Sequence, residues 1–188
     1  MVDIIDFDVE TTDIEGLMLM RMKQVFEDRG AVREFFRTSA FRDAGYELPP
    51  FQQINVTETR PGAVRGMHGE VMTKLVAIVH GTAYGAWVDA RPESPTRGAV
   101  VQVALQQGTQ VLVPEGVCNG FQSTGETPTQ YVYCFTREWT PGMQSIAITP
   151  LDPQLGIRWP LPIDASDREI ISEKDSEAPT LAQVLAPL

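Results

Sequence analysis

The chain of 188 residues has room for one domain with a real core, and its 43% hydrophobic and 21% charged residues are ordinary for a soluble globular protein. A formal net charge of −10 excludes a general nucleic-acid binder, which needs a basic face, but still allows a small anionic ligand held by a few arginines. With no basic-plus-apolar leader and no apolar run long enough to span a bilayer, a cytoplasmic protein without a membrane role is expected.

Residues 1–14 read as acidic and irregular. Residues 16–26 carry Leu17, Leu19, Met20 and Val25 and predict one or two short strands, closed by the turn Asp28-Arg29-Gly30. Residues 38–45 predict a short helix stopped by Gly45 and Pro49-Pro50. Residues 51–59 alternate Gln53, Asn55 and Thr57 with Ile54 and Val56, a half-buried strand. Strands follow at 75–79, 82–90, 99–105, 111–113, 130–135 and 143–149, separated by Gly and Pro at short intervals. Residues 150–162 read as an extended loop anchored by Trp159, and residues 180–185 as a short helix. Many short strands with almost no helical periodicity predict a sandwich, barrel or jelly roll. The two cysteines, Cys118 and Cys134, have no CxxC spacing and read as reduced thiols.

The stretch Val-Arg-Gly-Met-His-Gly at 64–69 stands out for its chemistry. His68 is one of only two histidines, and flanking glycines let the backbone turn sharply or lie close to a ligand. Arg65 lies three residues before it and Lys74 six after. A neutral base, a guanidinium that can fork onto phosphate and an ammonium that can face an oxyanion together suit proton abstraction. His80 ends an apolar strand and reads as structural. Two separated histidines are too few for the metal site of many β-barrel proteins, so no metal and no cofactor are expected.

Several fragments occur in one order along the chain: Asp28-Arg29-Gly30 with Glu34, Gln53-x-Asn55, Arg65-Gly66-Met67-His68, Lys74-Leu75-Val76, Val88-Asp89-x-Arg91, Ser94-Pro95-Thr96, Pro114-Glu115-Gly116, Gly120-Phe121, Tyr133-x-x-Thr136, Ile157-x-Trp159-Pro160 and Ser172-x-Lys174-Asp175. This set resembles the dTDP-4-dehydrorhamnose 3,5-epimerases, the RmlC-like branch of the cupins, from about residue 26 to residue 179. The resemblance implies an all-β fold, the cupin double-stranded β-helix or jelly roll with short peripheral helices. It implies a single domain over 1–188, with a core at about 16–162 and a tail, 163–188, that contributes a catalytic aspartate. It also implies a homodimer acting on a nucleotide-linked 4-keto-6-deoxyhexose.

By the same resemblance His68 is the base, Asp175 the carboxylate that steers it, Tyr133 the proton donor on the opposite face and Lys74 the cation beside the enolate. Arg65 and Arg29 match phosphate contacts, Glu34 a contact to the nucleobase or a neighbouring group, and Gln53 and Asn55 polar pocket contacts. Trp139 stands where a tyrosine is usual, Ala31-Val32 where aromatics are common, and Ile54 where an acidic residue is. Asn119 replaces a second histidine, and Gly85 the aspartate that would partner it, so both halves of one pair are missing. Proton abstraction is expected to persist, with epimerisation at one centre only as the leading variant. A 4-keto-sugar ketoisomerase and a cupin that binds a sugar nucleotide without turnover are the competing readings.

Overall fold

The computed structural model describes residues 2–186. In chain order the described residues form β1 Asp3–Ile5, β2 Asp8–Thr11, β3 Met18–Arg21, β4 Lys23–Glu27, β5 Gly30–Glu34, α1 Thr38–Asp43, β6 Gln53–Thr59, β7 Val64–Glu70, β8 Lys74–His80 and β9 Ala83–Asp89. They continue with β10 Val100–Leu105, β11 Thr109–Val113, β12 Val117–Ser123, β13 Thr129–Phe135, β14 Ser145–Ala147, a 3-10 turn Pro153–Leu155, α2 Glu173–Ser176 and α3 Leu181–Leu185. The strands assemble into a five-stranded sheet ordered β10-β9-β12-β7-β14, a six-stranded sheet ordered β2-β3-β11-β8-β13-β6, and a small sheet ordered β1-β4-β5. All pairings are antiparallel. This is the two-sheet β fold expected, with helices that are short and peripheral.

The main core lies between the two large sheets. Trp87, Val117 and Phe121 from one meet Val76, Ile78, Val111 and Tyr131 from the other. Each sheet is also covered on its outer face. Leu155, Leu181 and Trp159 pack over Met67, Ala86, Val88 and Cys118, while Phe41 of α1 with Phe7, Phe36 and Phe51 packs over Leu75, Leu112 and Val132. Strands buried on both faces do not alternate, which explains the continuous apolar run at 75–78.

Three expectations need correction. Residues 1–14 hold β1 and β2, whose few apolar positions are too short a pattern to register by alternation. Residues 117–123 form a wholly buried central strand, disguised by Asn119, Gly120 and Gln122. The last strand shrinks to Ser145–Ala147, paired only with β7.

The loop after β9 is tied by one carboxylate. Asp89, fully buried, receives Arg91 Nε at 2.9 Å and Nη2 at 2.8 Å, the Ser94 hydroxyl at 2.5 Å and the Thr96 hydroxyl at 2.6 Å. Burial works to raise its pKa, but these donors outweigh it and hold the carboxyl below the ordinary range. A depressed folded pKa contributes stability that is complete above the unfolded value of about 3.9 and is lost as pH falls toward the folded one. Asp89→Ala is expected to lower the unfolding free energy by about 3–5 kcal/mol, because it strands Arg91 in the interior. Urea titration at neutral pH checks this, and a loss under about 1 kcal/mol would reduce the knot to a solvated turn.

Candidate active site

Period-two alternation carries polar side chains into the same interior as the core. On β8, Lys74 shares a face with Val76 and Ile78; on β12, Asn119 with Phe121; on β13, Tyr133 with Tyr131. Register then gathers them: Asn119 lies opposite His68 and Tyr133 opposite Asn55. Together with Arg65, Glu70 and Phe135 they line a cavity of about 140 Å3. An adjoining cleft of about 400 Å3, lined by Arg60, Arg168, Ser172 and Asp175, shares Arg65 as a wall.

Asp175 reaches this place from the tail, 107 residues beyond His68. The amide of Val64 donates to the Ile170 carbonyl and pins the tail to β7, and the Ser172 hydroxyl accepts from the Asp175 amide and starts α2. The Asp175 carboxylate has His68 Nε2 at 2.7 Å from Oδ1 and accepts the Gly66 amide at Oδ2. Gly66 must be bare: a Cβ there would stand 2.5 Å from the Gly120 Cα, at a φ of +116°. Burial alone would raise the Asp175 pKa, but the hydrogen bond and charge of His68, with Gly66 and Ser172, hold it below the ordinary carboxylate range. A carboxylate only accepts, so Nε2 carries the imidazole proton and the lone pair lies on Nδ1. The Asp175 side chain is 7% exposed and that of His68 35%: the steering group is sealed and the base is open to the cavity.

Lys74 is buried and its ammonium hydrogens are committed. It donates to the His68 carbonyl at 3.2 Å, to Asn119 Oδ1 at 2.7 Å and to the Glu70 carboxylate, which balances its charge. The other end of the Asn119 amide meets the Tyr133 hydroxyl. Burial pushes the Tyr133 phenol well above its ordinary pKa, so at neutral pH it holds a proton. Glu70 was not among the residues singled out from sequence. Its signal is that it sits two positions after His68, which on a strand means the same face.

The missing second pair has been built over. A Cβ at Gly85 would lie 2.4 Å from the Trp87 indole and 2.9 Å from Leu105, so the space of that side chain is filled by a fully buried tryptophan. Other expected residues stay apart within one chain. Arg29 and Glu34 lie on the exposed β4–β5 hairpin, paired with Glu27 and Arg37. Gln53 does not line the cavity: its side chain accepts from the Trp139 amide and donates to Asn55, leaving the Trp139 ring exposed. Arg65 bonds the Thr59 hydroxyl at 2.8 Å and the Glu58 carbonyl. Burial pushes the Cys118 thiol up to about 12 and the Cys134 thiol up to about 11, so neither is a nucleophile. Among the described residues no three His, Cys, Asp or Glu side chains cluster as a metal site would require.

The family model for dTDP-4-dehydrorhamnose 3,5-epimerase matches residues 11–183. The chain is 34% identical over 163 residues to a dTDP-4-dehydro-6-deoxyglucose 3-epimerase of Streptomyces bikiniensis, covering 83% of this chain and 80% of that one. It is 31% identical over 180 residues to a dTDP-4-dehydrorhamnose 3,5-epimerase of Salmonella typhimurium, covering 93% and 95%. The crystal structure of NovW, a 4-keto-6-deoxy sugar epimerase from the novobiocin gene cluster of Streptomyces spheroides, superposes with a TM-score of 0.87. That match has 25% identity and covers 97% of this chain and 94% of the other.

Proposed function

Since the chain belongs to the dTDP-4-dehydrorhamnose 3,5-epimerase family, we propose that it inverts a carbon centre beside the ketone of a nucleotide-linked 4-keto-6-deoxyhexose. The observation that carries this reading is the imidazole of His68, steered by Asp175 at 2.7 Å and facing a cavity that also holds a protonated phenol, Tyr133. A C–H beside a ketone is acidic because the resulting charge rests on oxygen. His68 takes the proton, the C–H pair moves into an enolate, and the Asp175 carboxylate offsets the imidazolium charge. Tyr133 then gives its proton to the carbon from the other face, the carbonyl re-forms, and solvent exchange resets imidazolium and phenolate.

The cavity is smaller than the range of about 300–1,000 Å3 that holds a drug-sized ligand. It suits the sugar ring alone, leaving the diphosphate toward Arg65 and the mouth. The Arg65 guanidinium, anchored at two points, still has donors for a phosphate. Arg29 and Glu34 fit this picture as contributions from a second copy. β5 and β6 are open sheet edges, and Val32, Ile54 and Val56 on them are exposed apolar residues that an isologous homodimer would cover. Sedimentation velocity tests the pairing; a monomer at micromolar concentration would remove it. A cytoplasmic setting is in keeping with two free buried thiols, and no described helix is long and apolar enough to cross a membrane.

The deciding experiment is incubation with 4-keto-6-deoxy sugar nucleotides in heavy water. Deuterium is expected at C3, C5 or both, and the carbon labelled names the centre inverted. Label at neither carbon, with His68→Asn behaving the same, would leave a binding protein.

A further inference from the structure

We propose that Glu70 is a positioning residue for the proton donor, acting on Tyr133 through Lys74 and Asn119. The inference rests on the epimerase reading and adds a role that neither the base nor its carboxylate plays. An amide side chain has an oxygen end and a nitrogen end, and in a buried site its orientation is set by its neighbours. Lys74 can only donate, and its Nζ lies 2.7 Å from Asn119 Oδ1, so that end of the amide must be the oxygen. The NH2 end is thereby turned to the Tyr133 hydroxyl.

This has a chemical consequence. A phenol oxygen that accepts from Asn119 directs its own O–H elsewhere, toward the cavity that both side chains line. When that proton leaves for the enolate carbon, the N–H already in place meets the phenolate charge. The arrangement stands only while Lys74 is held, and what holds it is Glu70, the one carboxylate on the buried ammonium. Without that charge the ammonium is drawn toward the open side of the cavity, and the amide loses the partner that orients it.

Glu70→Gln and Asn119→Asp keep the shapes of their side chains and test the chain from both ends. Two rates are followed in heavy water: deuterium entering recovered substrate with retained configuration, which needs only the base, and formation of inverted product, which also needs the phenol. Glu70→Gln is expected to slow inversion by about ten- to a hundredfold, part of the 10²–10⁴ that a positioned acid supplies. Exchange should stay within about twofold of wild type, since the His68 pair is untouched. Asn119→Asp, which still accepts from Lys74 but has no N–H for the phenol, should show the same split. Glu70→Gln added to Asn119→Asp should then cost nothing further, as for residues acting through one path.

Glu70→Gln lowering exchange and inversion together would overturn the proposal. So would an unchanged ratio of the two, or a full additional loss in the Asn119→Asp background. Should Glu70→Gln fail to fold, the Asn119→Asp split alone decides, a fall in both rates again counting against it. A wild-type protein showing neither rate would instead overturn the epimerase reading beneath it, and this inference with it.

Discussion

Replacing His68 by Asn will lower the rate of epimerisation by about 10²- to 10⁴-fold, the range a positioned base contributes. Asparagine can still bond Asp175, and the ring's partial exposure means that its loss opens no sealed void, so the protein should melt close to wild type. Asp175→Asn should fall in the same direction for a different reason. Its two oxygens serve two donors, the imidazole N–H and the Gly66 amide, and an Asn side chain has one oxygen. If that oxygen faces Gly66, the amide NH2 faces Nε2 and drives the imidazole proton to Nδ1, where the lone pair is needed. If it faces the imidazole, the NH2 confronts the Gly66 N–H. The two residues act as a unit, so the double variant should be little worse than His68→Asn alone. Initial rates at saturating substrate check this, and His68→Asn retaining more than about a tenth of wild-type turnover would remove the imidazole from the chemistry.

The pH dependence follows from the direction of one shift. Asp175 is held below the ordinary carboxylate range, chiefly against the effect of burial, by its bond to His68. Its contribution to stability is therefore present above the unfolded value of about 3.9 and is lost as pH falls through the folded value. The carboxylate stays charged through the neutral range. An acid limb of the rate profile well above pH 4 thus reports another group.

The fold was legible because turn residues punctuate it so often, and the family because eleven fragments keep their order across the chain. What alternation could not show is any strand covered on both faces: β12 carries Asn119 in its middle and reads as a loop until Val117, Cys118 and Phe121 are seen buried on either side. Glu70 escaped for a related reason. While 64–70 was seen as a glycine-bordered turn, nothing linked position 70 to position 68. Once those residues form β7, period two puts both side chains over one cavity. The meeting of Asp175 with His68 was out of reach of any local pattern, since it depends on the tail bonding β7 at Val64. Only the family resemblance suggested it. The same resemblance offered Arg29 and Glu34, which a single chain leaves on the far hairpin.

Tyr133→Phe carries the other large effect, and it separates the two halves of the reaction. The ring is held between Tyr131, at 4.8 Å, and Phe135, stacked at 5.7 Å, so a phenylalanine keeps the packing and deletes only the hydroxyl. Burial keeps that hydroxyl protonated, which suits it to give a proton and makes it a poor base. Inversion should then fall by about 10²- to 10⁴-fold while deuterium still enters the substrate at the carbon His68 faces. Tyr131→Phe is the matched control: two residues along the same strand face, stacked on Phe121 in the core, it should leave both rates within about twofold because packing, not proton transfer, is its part. If Tyr133→Phe removed exchange and inversion together, the phenol would have to be the group that takes the proton. The roles of the two faces would then be reversed, and the sealed Asp175 would be steering a donor.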